Sequence, residues 1–348
     1  MDFSNSFGIN KDLRTPKYIQ IVDAVIYKIS KGNVKIDEQL PSINVFSREY
    51  KVSRSTVEKA YKILKDKNII ITEIGKGYYI NTTKLITKIK VLFLINKLSP
   101  YKLKIYDSFI RQIGNDYHID FEIYNCDESL FLNLLDKNKS RYNYYVIMPH
   151  FKYTYPNQSH LKQECIQSIE SIPKEKLIIM DNNDLKIKGD IIEIYQDFEN
   201  DIFEALTLGL NKIKKYKRLN LVITKEKSYP YLEKISFGFM KFCNEQFLDF
   251  KIVNKIKKDE IINQGDFFVV ITDDDLVQIL DLISLNNLIL GEDVGLISYN
   301  ETPFKRLLDI AVVSTDFVKM GETAADMIIN GQKGKIKNPF TLIDRKSI

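Results

Sequence analysis

From residue 89 onward the chain alternates short apolar runs with amphipathic stretches, and that alternation limits the possible folds more than any other feature. The runs fall at 89–95, 119–124, 144–148, 176–180, 219–223, 267–271 and 294–299. Between them lie segments with helical periodicity, such as 102–114, 129–137, 198–215, 231–246 and 274–286. A strand that is apolar at nearly every position needs cover on both faces, and helices between consecutive strands supply it. Parallel sheets flanked by helices are therefore expected. The segment is long for one such sheet, so two lobes are expected. Open sheets of this kind bind ligands beyond the carboxyl ends of their strands, which puts a cleft between the lobes among strand-end loops.

Charge separates the first part of the chain from the rest. The formal net charge is +5. Residues 1–85 hold 15 Lys or Arg against 9 Asp or Glu, whereas the remainder holds 36 against 37. A basic segment on a nearly neutral body suggests a polyanion-binding module joined to a part with another task. The totals, 44% hydrophobic and 28% charged residues, are those of an ordinary globular protein. Cys126, Cys165 and Cys243 are far apart and form no C-x-x-C pair, as expected of reduced thiols in a cytosolic protein. The start, "MDFSNSFGIN", has no basic-then-apolar signal pattern. Runs such as VLFLI at 91–95 are too short for a membrane span. A cytoplasmic protein with no membrane partner is expected.

Within the first eighty residues the apolar period is helical. Ile19, Val22, Val25, Ile26 and Ile29 share a face, with Pro16 placed to open that helix and Gly32 to end it. Ser42 can cap a second helix that points Ile43, Phe46 and Tyr50 inward. Residues "KVSRS" then turn the chain into a third helix, with Val57, Tyr61 and Leu64 on its inner face, running to about Lys67. Two short helices joined by a tight turn form the core of a helix-turn-helix. After Asn68 the pattern becomes β-rich, broken by Gly75-Lys76-Gly77, which predicts a hairpin with a lysine at its tip. The order is that of a winged helix-turn-helix.

The segment from Pro16 to Ile80 resembles the DNA-binding domain of GntR-type bacterial regulators. The resemblance rests on "KYIQI", "LPSINVFSREYKVSRSTVEKAYKIL" and "IGKGYYI", together and in order. It implies DNA contacts from Ser42, Arg48, Ser53, Arg54, Ser55, Thr56 and Lys59, and from Gly75, Lys76 and Gly77 of the wing. Arg54 would stand at the end of the recognition helix that enters the major groove, where one arginine takes two acceptors on a guanine. Ser53 also suits a plain N-cap. Asn44 and Glu58 stand where the family often has basic residues, so those contacts are not carried over.

The remainder resembles the effector domain of the LacI family, which shares the fold of periplasmic sugar-binding proteins. The matching stretches are "FFVVITDDDLVQILDLISLNNLILGEDVGLISYNETP", "VSTDFVKMGETAADMIINGQ" and "EKISFGFMKF". By that likeness Asp273, Asn300 and Phe317 contact the ligand. Strand ends add Ser99, Tyr101, His150 and Asp181, and Lys234 lies beside Ile235, near the place of a frequent family arginine. Carboxylates, amides and an aromatic ring suit a sugar, whose hydroxyls want polar partners and whose C–H face wants a ring. The run Asp273-Asp274-Asp275 fits a helix N-terminus better than a metal site.

No GxSxG elbow, P-loop, dinucleotide GxGxxG or HExxH is present, and the histidines at 118, 150 and 160 suggest no catalytic partner by spacing. The alternatives are a pyridoxal-phosphate type enzyme domain behind the DNA-binding head, or an architectural DNA-binding protein without ligand. The expected organisation is α/β. Residues 1–80 form the winged helix-turn-helix, 81–89 a linker, and 90–348 a two-lobed, periplasmic-binding-protein-like effector and dimerisation domain. The expected role is a repressor of carbohydrate utilisation, with operator DNA, a sugar-like effector and a second copy of the chain as partners. No cofactor or metal is expected.

Overall fold

The computed structural model describes residues 9, 15–30, 34–73, 75–82, 88–151, 159–223 and 229–348. Gly32 and residues 83–87 of the expected linker lie outside the described residues. The chain divides into two compact units between residues 87 and 88.

The first unit is built on three helices: α1 (Lys17–Ser30), α2 (Ile43–Glu49) and α3 (Arg54–Asp66). The α1 face that turns inward carries Ile21, Val22, Val25 and Ile29, with Ile19 only half-buried. These residues pack with Phe46, Val57, Ala60, Tyr61 and Leu64 into one core. Ser42 caps α2 by accepting from Val45 N, and Ser53 caps α3 by accepting from Thr56 N. The Tyr61 hydroxyl donates to Pro41 O at 2.8 Å, which pins α3 to the entrance of α2. Strands β2 (Ile70–Glu73) and β3 (Gly77–Ile80) form the predicted hairpin. A two-residue strand, β1 (Gln39–Leu40), adds to the free side of β3, pairing Gln39 with Tyr79. The sequence showed no sign of β1, because two residues carry no period.

The second unit contains two six-stranded sheets. The amino-lobe sheet has the order β14-β8-β7-β6-β4-β5 and every pairing in it is parallel. Its strands are β4 (Ile89–Ile95), β5 (Tyr117–Ile123), β6 (Tyr144–Ile147), β7 (Leu177–Asp181), β8 (Ile192–Tyr195) and β14 (Gly334–Lys337). Helices α4 (Pro100–Ile113) and α12 (Phe317–Ile329) pack with one core cluster, and α5 (Glu128–Asn138) and α6 (Ser159–Glu170) with another. Gly321 of α12 lets the α4 backbone approach, since a Cβ there would collide with Ser108 Oγ and Ile105 O.

The carboxy-lobe sheet has the order β10-β9-β11-β12-β13-β15. It comprises β9 (Arg218–Val222), β10 (Phe250–Val253), β11 (Asp266–Val270), β12 (Gly295–Tyr299), β13 (Ala311–Thr315) and β15 (Phe340–Ile343), with β15 antiparallel to β13. Around it lie α7 (Phe198–Leu208), α8 (Leu210–Ile213), α9 (Pro230–Glu245), α10 (Asp273–Leu285) and α11 (Pro303–Leu307). The chain thus passes between the lobes three times, after β8, β13 and β14. The stretch 198–215, expected as one helix, is divided at Gly209. The Gly209 N–H closes α7 on Leu206 O, and Leu342 of β15 packs against the break.

In both lobes the first strand lies between the second and third, so the order reverses between β4 and β6 and again between β9 and β11. That reversal opens a crevice beyond the carboxyl ends of those strands. Among the described residues, no helix is long and apolar enough to cross a membrane.

Candidate functional site

In the first unit, Arg54 and Ser55 are exposed on the first turn of α3, and Thr56 is half-buried. Ser53 Oγ lies 2.7 Å from Thr56 Oγ1 and 3.0 Å from Ser55 Oγ, so the three hydroxyls form one network at the helix start. The Arg54 guanidinium is 3.9 Å from Glu58, an exposed pair too loose to tie it down. Lys59 lies further along α3 with its ammonium 3.9 Å over the Tyr18 ring of α1. Ser42 and Arg48 are exposed on α2. In the wing, Gly75 and Gly77 have φ of 79° and 118°, values that favour glycine, and they leave Lys76 exposed. Lys76 makes a 3.2 Å pair with Glu73, and its carbonyl accepts from Gln39 Nε2 at 2.6 Å. The helix start and the wing tip therefore both offer exposed cations.

In the second unit, two groups form at the strand ends. The first joins the lobes. Tyr101 of α4 stacks on Phe317 of α12, with ring centroids 5.0 Å apart and planes at 23°. Its phenol lies close to the Asn300 side chain of the carboxy-lobe. Burial, reinforced by nearby Asp273, pushes that phenol up to about 12. Asn300 holds φ of 64° directly after β12. Asp273 pairs with Lys305 at 2.8 Å; Lys305 has no exposure at all and also donates to Tyr299 O at 2.6 Å. Burial holds Lys305 below the ordinary lysine range despite Asp273. Ser99, in contrast, is the N-cap of α4 and accepts from Lys102 N.

The second group lies in the amino-lobe and includes Lys102, the neighbour of Tyr101 on α4. Asp181, with φ of 80°, accepts from Lys102 Nζ and His150 Nε2 on one oxygen and from Gln196 Nε2 at 2.5 Å on the other. All four residues are buried. Burial, the largest single influence, would raise the Asp181 carboxyl, but the Lys102 ammonium together with the hydrogen bonds from Lys102 and His150 outweighs it and the carboxyl stays far below the usual range. Burial and Lys102 together push His150 down, so the ring stays neutral and donates through Nε2–H. The unfolded chain binds a proton at this histidine below its ordinary 6.5 and the folded chain does not. Stability is therefore expected to fall as pH drops below about 6.5. His150→Gln should flatten that part of a pH series of thermal melts.

Lys234 was expected at the ligand. It forms an ion pair with Asp184, which joins α9 of the carboxy-lobe to the loop after β7. The ring of Tyr231, also on α9, stands perpendicular to that of His150, with centroids 6.2 Å apart. Sequence reasoning missed Lys102, Gln196, Tyr231 and Lys305. A lysine on a helix reads as a solvated residue, and only the burial of the finished fold shows otherwise. A depression of about 110 Å³, lined among others by Leu135, Lys139, Tyr145 and Ile172, lies on the flank of the amino-lobe and holds none of these residues.

Residues 17–80 match the family described as bacterial regulatory proteins, gntR family. The HTH-type transcriptional regulator YurK of Bacillus subtilis is 35% identical over 77 residues, 22% of this chain and 32% of YurK. The chain thus spans about a third of that relative. Among solved structures, the trehalose repressor from Escherichia coli superposes with a TM-score of 0.57 at 13% identity, covering 74% of this chain and all of the other. A periplasmic binding protein/LacI transcriptional regulator from Alkaliphilus metalliredigens, complexed with D-xylulofuranose, gives 0.53 at 15% identity over 74% and 98%. The chain therefore joins a helix-turn-helix domain of the gntR family, at residues 17–80, to a unit with the fold of LacI-type regulators and periplasmic binding proteins.

Proposed function

We propose that this protein is a cytoplasmic transcription regulator, a repressor of carbohydrate-utilisation genes, that binds operator DNA as a homodimer and responds to a neutral sugar-like effector held between its lobes. It performs no catalysis of its own. The observation that carries the effector reading is the meeting of Tyr101, Phe317, Asn300 and Asp273 from both lobes. They supply an aromatic pair, an amide and a carboxylate at the strand ends, as sugar recognition requires. Both buried ammonium groups there already have a counter-ion, Lys102 with Asp181 and Lys305 with Asp273, which favours an uncharged ligand over an ionic one. The trehalose and D-xylulofuranose proteins among its structural neighbours agree with that class.

A two-fold dimer presents two recognition helices to half-sites about 10 bp apart or a multiple of that spacing. A ligand that prefers one arrangement of the lobes shifts DNA affinity only by its differential affinity, typically about 1–3 kcal/mol. The test is a thermal-shift screen against neutral pentoses, hexoses and disaccharides and their phosphates, followed by anisotropy titration of an operator selected from random duplexes. A sugar that raises the melting temperature and changes operator affinity supports the reading. Operator binding indifferent to the whole panel sinks it. In the same titration Arg54→Ala is expected to cost about 1–3 kcal/mol on the selected operator. Lys76→Ala should weaken all duplexes alike and lower the salt slope by about one unit.

A further inference from the structure

Asn96 stands immediately past β4, at the point where the amino-lobe strand order reverses. It is 3% exposed. Its amide nitrogen has one contact, 3.5 Å to the Cys126 sulfur, and its Oδ1 receives no hydrogen bond. Exchanging the amide oxygen and nitrogen would only transfer the deficit to the NH₂ group, because the thiol answers one end in either case. A buried amide with an unmatched end is costly, and folded proteins carry few of them. The neighbouring backbone adds to the cost. Asn125 and Cys126 both hold positive φ, 51° and 57°, and cysteine gains nothing from that conformation. The Cys126 thiol also lies close to the Tyr229 hydroxyl at the opening of α9, so this spot faces the opposite lobe.

We propose that Asn96 is a specificity-determining residue of the effector site, its free amide end reserved for a hydroxyl of the bound sugar. A hydroxyl both donates and accepts, so it satisfies the amide in either orientation; an apolar or purely accepting group does not. The proposal rests on the effector reading above, and its test separates the two. Asn96→Leu keeps the branching and the number of side-chain heavy atoms and removes the unmatched polar ones. In the ligand-free protein it is expected to raise the melting temperature by a few degrees, which a residue with a structural partner would not do. For whichever neutral sugar stabilises the wild type, the variant should bind 10- to 100-fold more weakly. The analogue lacking one hydroxyl should bind wild type and variant alike. A lower melting temperature for Asn96→Leu, as when an ordered water completes the amide, overturns the proposal. So does unchanged sugar affinity. If no sugar of the panel stabilises the wild type, the carbohydrate reading falls, and the melting arm alone still decides Asn96.

Discussion

Lys102→Met is expected to cost about 3–5 kcal/mol of unfolding free energy. The substitution leaves the Asp181 carboxylate buried with only His150 and Gln196 as donors. Neither brings a net charge, since His150 is held neutral. Removing one member of a buried ion pair is far more damaging than removing both, because the survivor is desolvated without compensation. Lys102→Met with Asp181→Leu should therefore recover most of the loss. Urea unfolding followed by far-ultraviolet circular dichroism measures both, the chain having no tryptophan to report otherwise. A single-mutant cost below about 1 kcal/mol would show that the pair behaves like an exposed one. A pH series adds a sign check. The Asp181 carboxyl is held low, so its contribution is present above the ordinary carboxylate range, near 4, and fades as pH falls below it.

Asp273→Ala is expected to remove the effector response and to weaken sugar binding by about 1.5–3 kcal/mol, roughly 10- to 150-fold. It has a second consequence. Lys305, fully buried beneath Asp273, keeps only the carbonyls of Tyr299 and Asn300 as acceptors. The alanine variant should also melt lower, whereas Asp273→Asn preserves an acceptor for Lys305 and should lose the response with less damage to stability. Operator binding by the first unit should be the same in both variants. Calorimetric titration of the stabilising sugar, beside anisotropy titration of the operator, separates the two effects. A variant that still responded fully would remove Asp273 from the site.

The readable parts of the fold were those with a local period. Each of the seven apolar runs lies in a strand, shifted by two residues at most. Six of these strands are buried over most of their length and so nearly continuous in apolar residues, whereas the edge strand β5 alternates. Five strands of the second unit escaped notice. β8 carries Glu193 in its middle, buried there against Lys335 of β14, and β10, β14 and β15 are four-residue edge strands with no continuous apolar run. β13 is buried throughout but apolar only over 311–313, before Ser314 and Thr315. The three-helix head was legible down to its caps, since Ser42 and Ser53 act through neighbours three residues away.

Local order, then, was written in the residues themselves: helix faces, strand runs, caps and the glycine-flanked wing depend on interactions a few positions apart. The cleft was not. Lys102 meets Asp181 across 79 positions, and Tyr101 meets Asn300 across the lobe boundary. Such meetings arise only when strand order and the three crossovers bring distant chain ends to one spot, and burial there turns an ordinary lysine into one half of a charge pair.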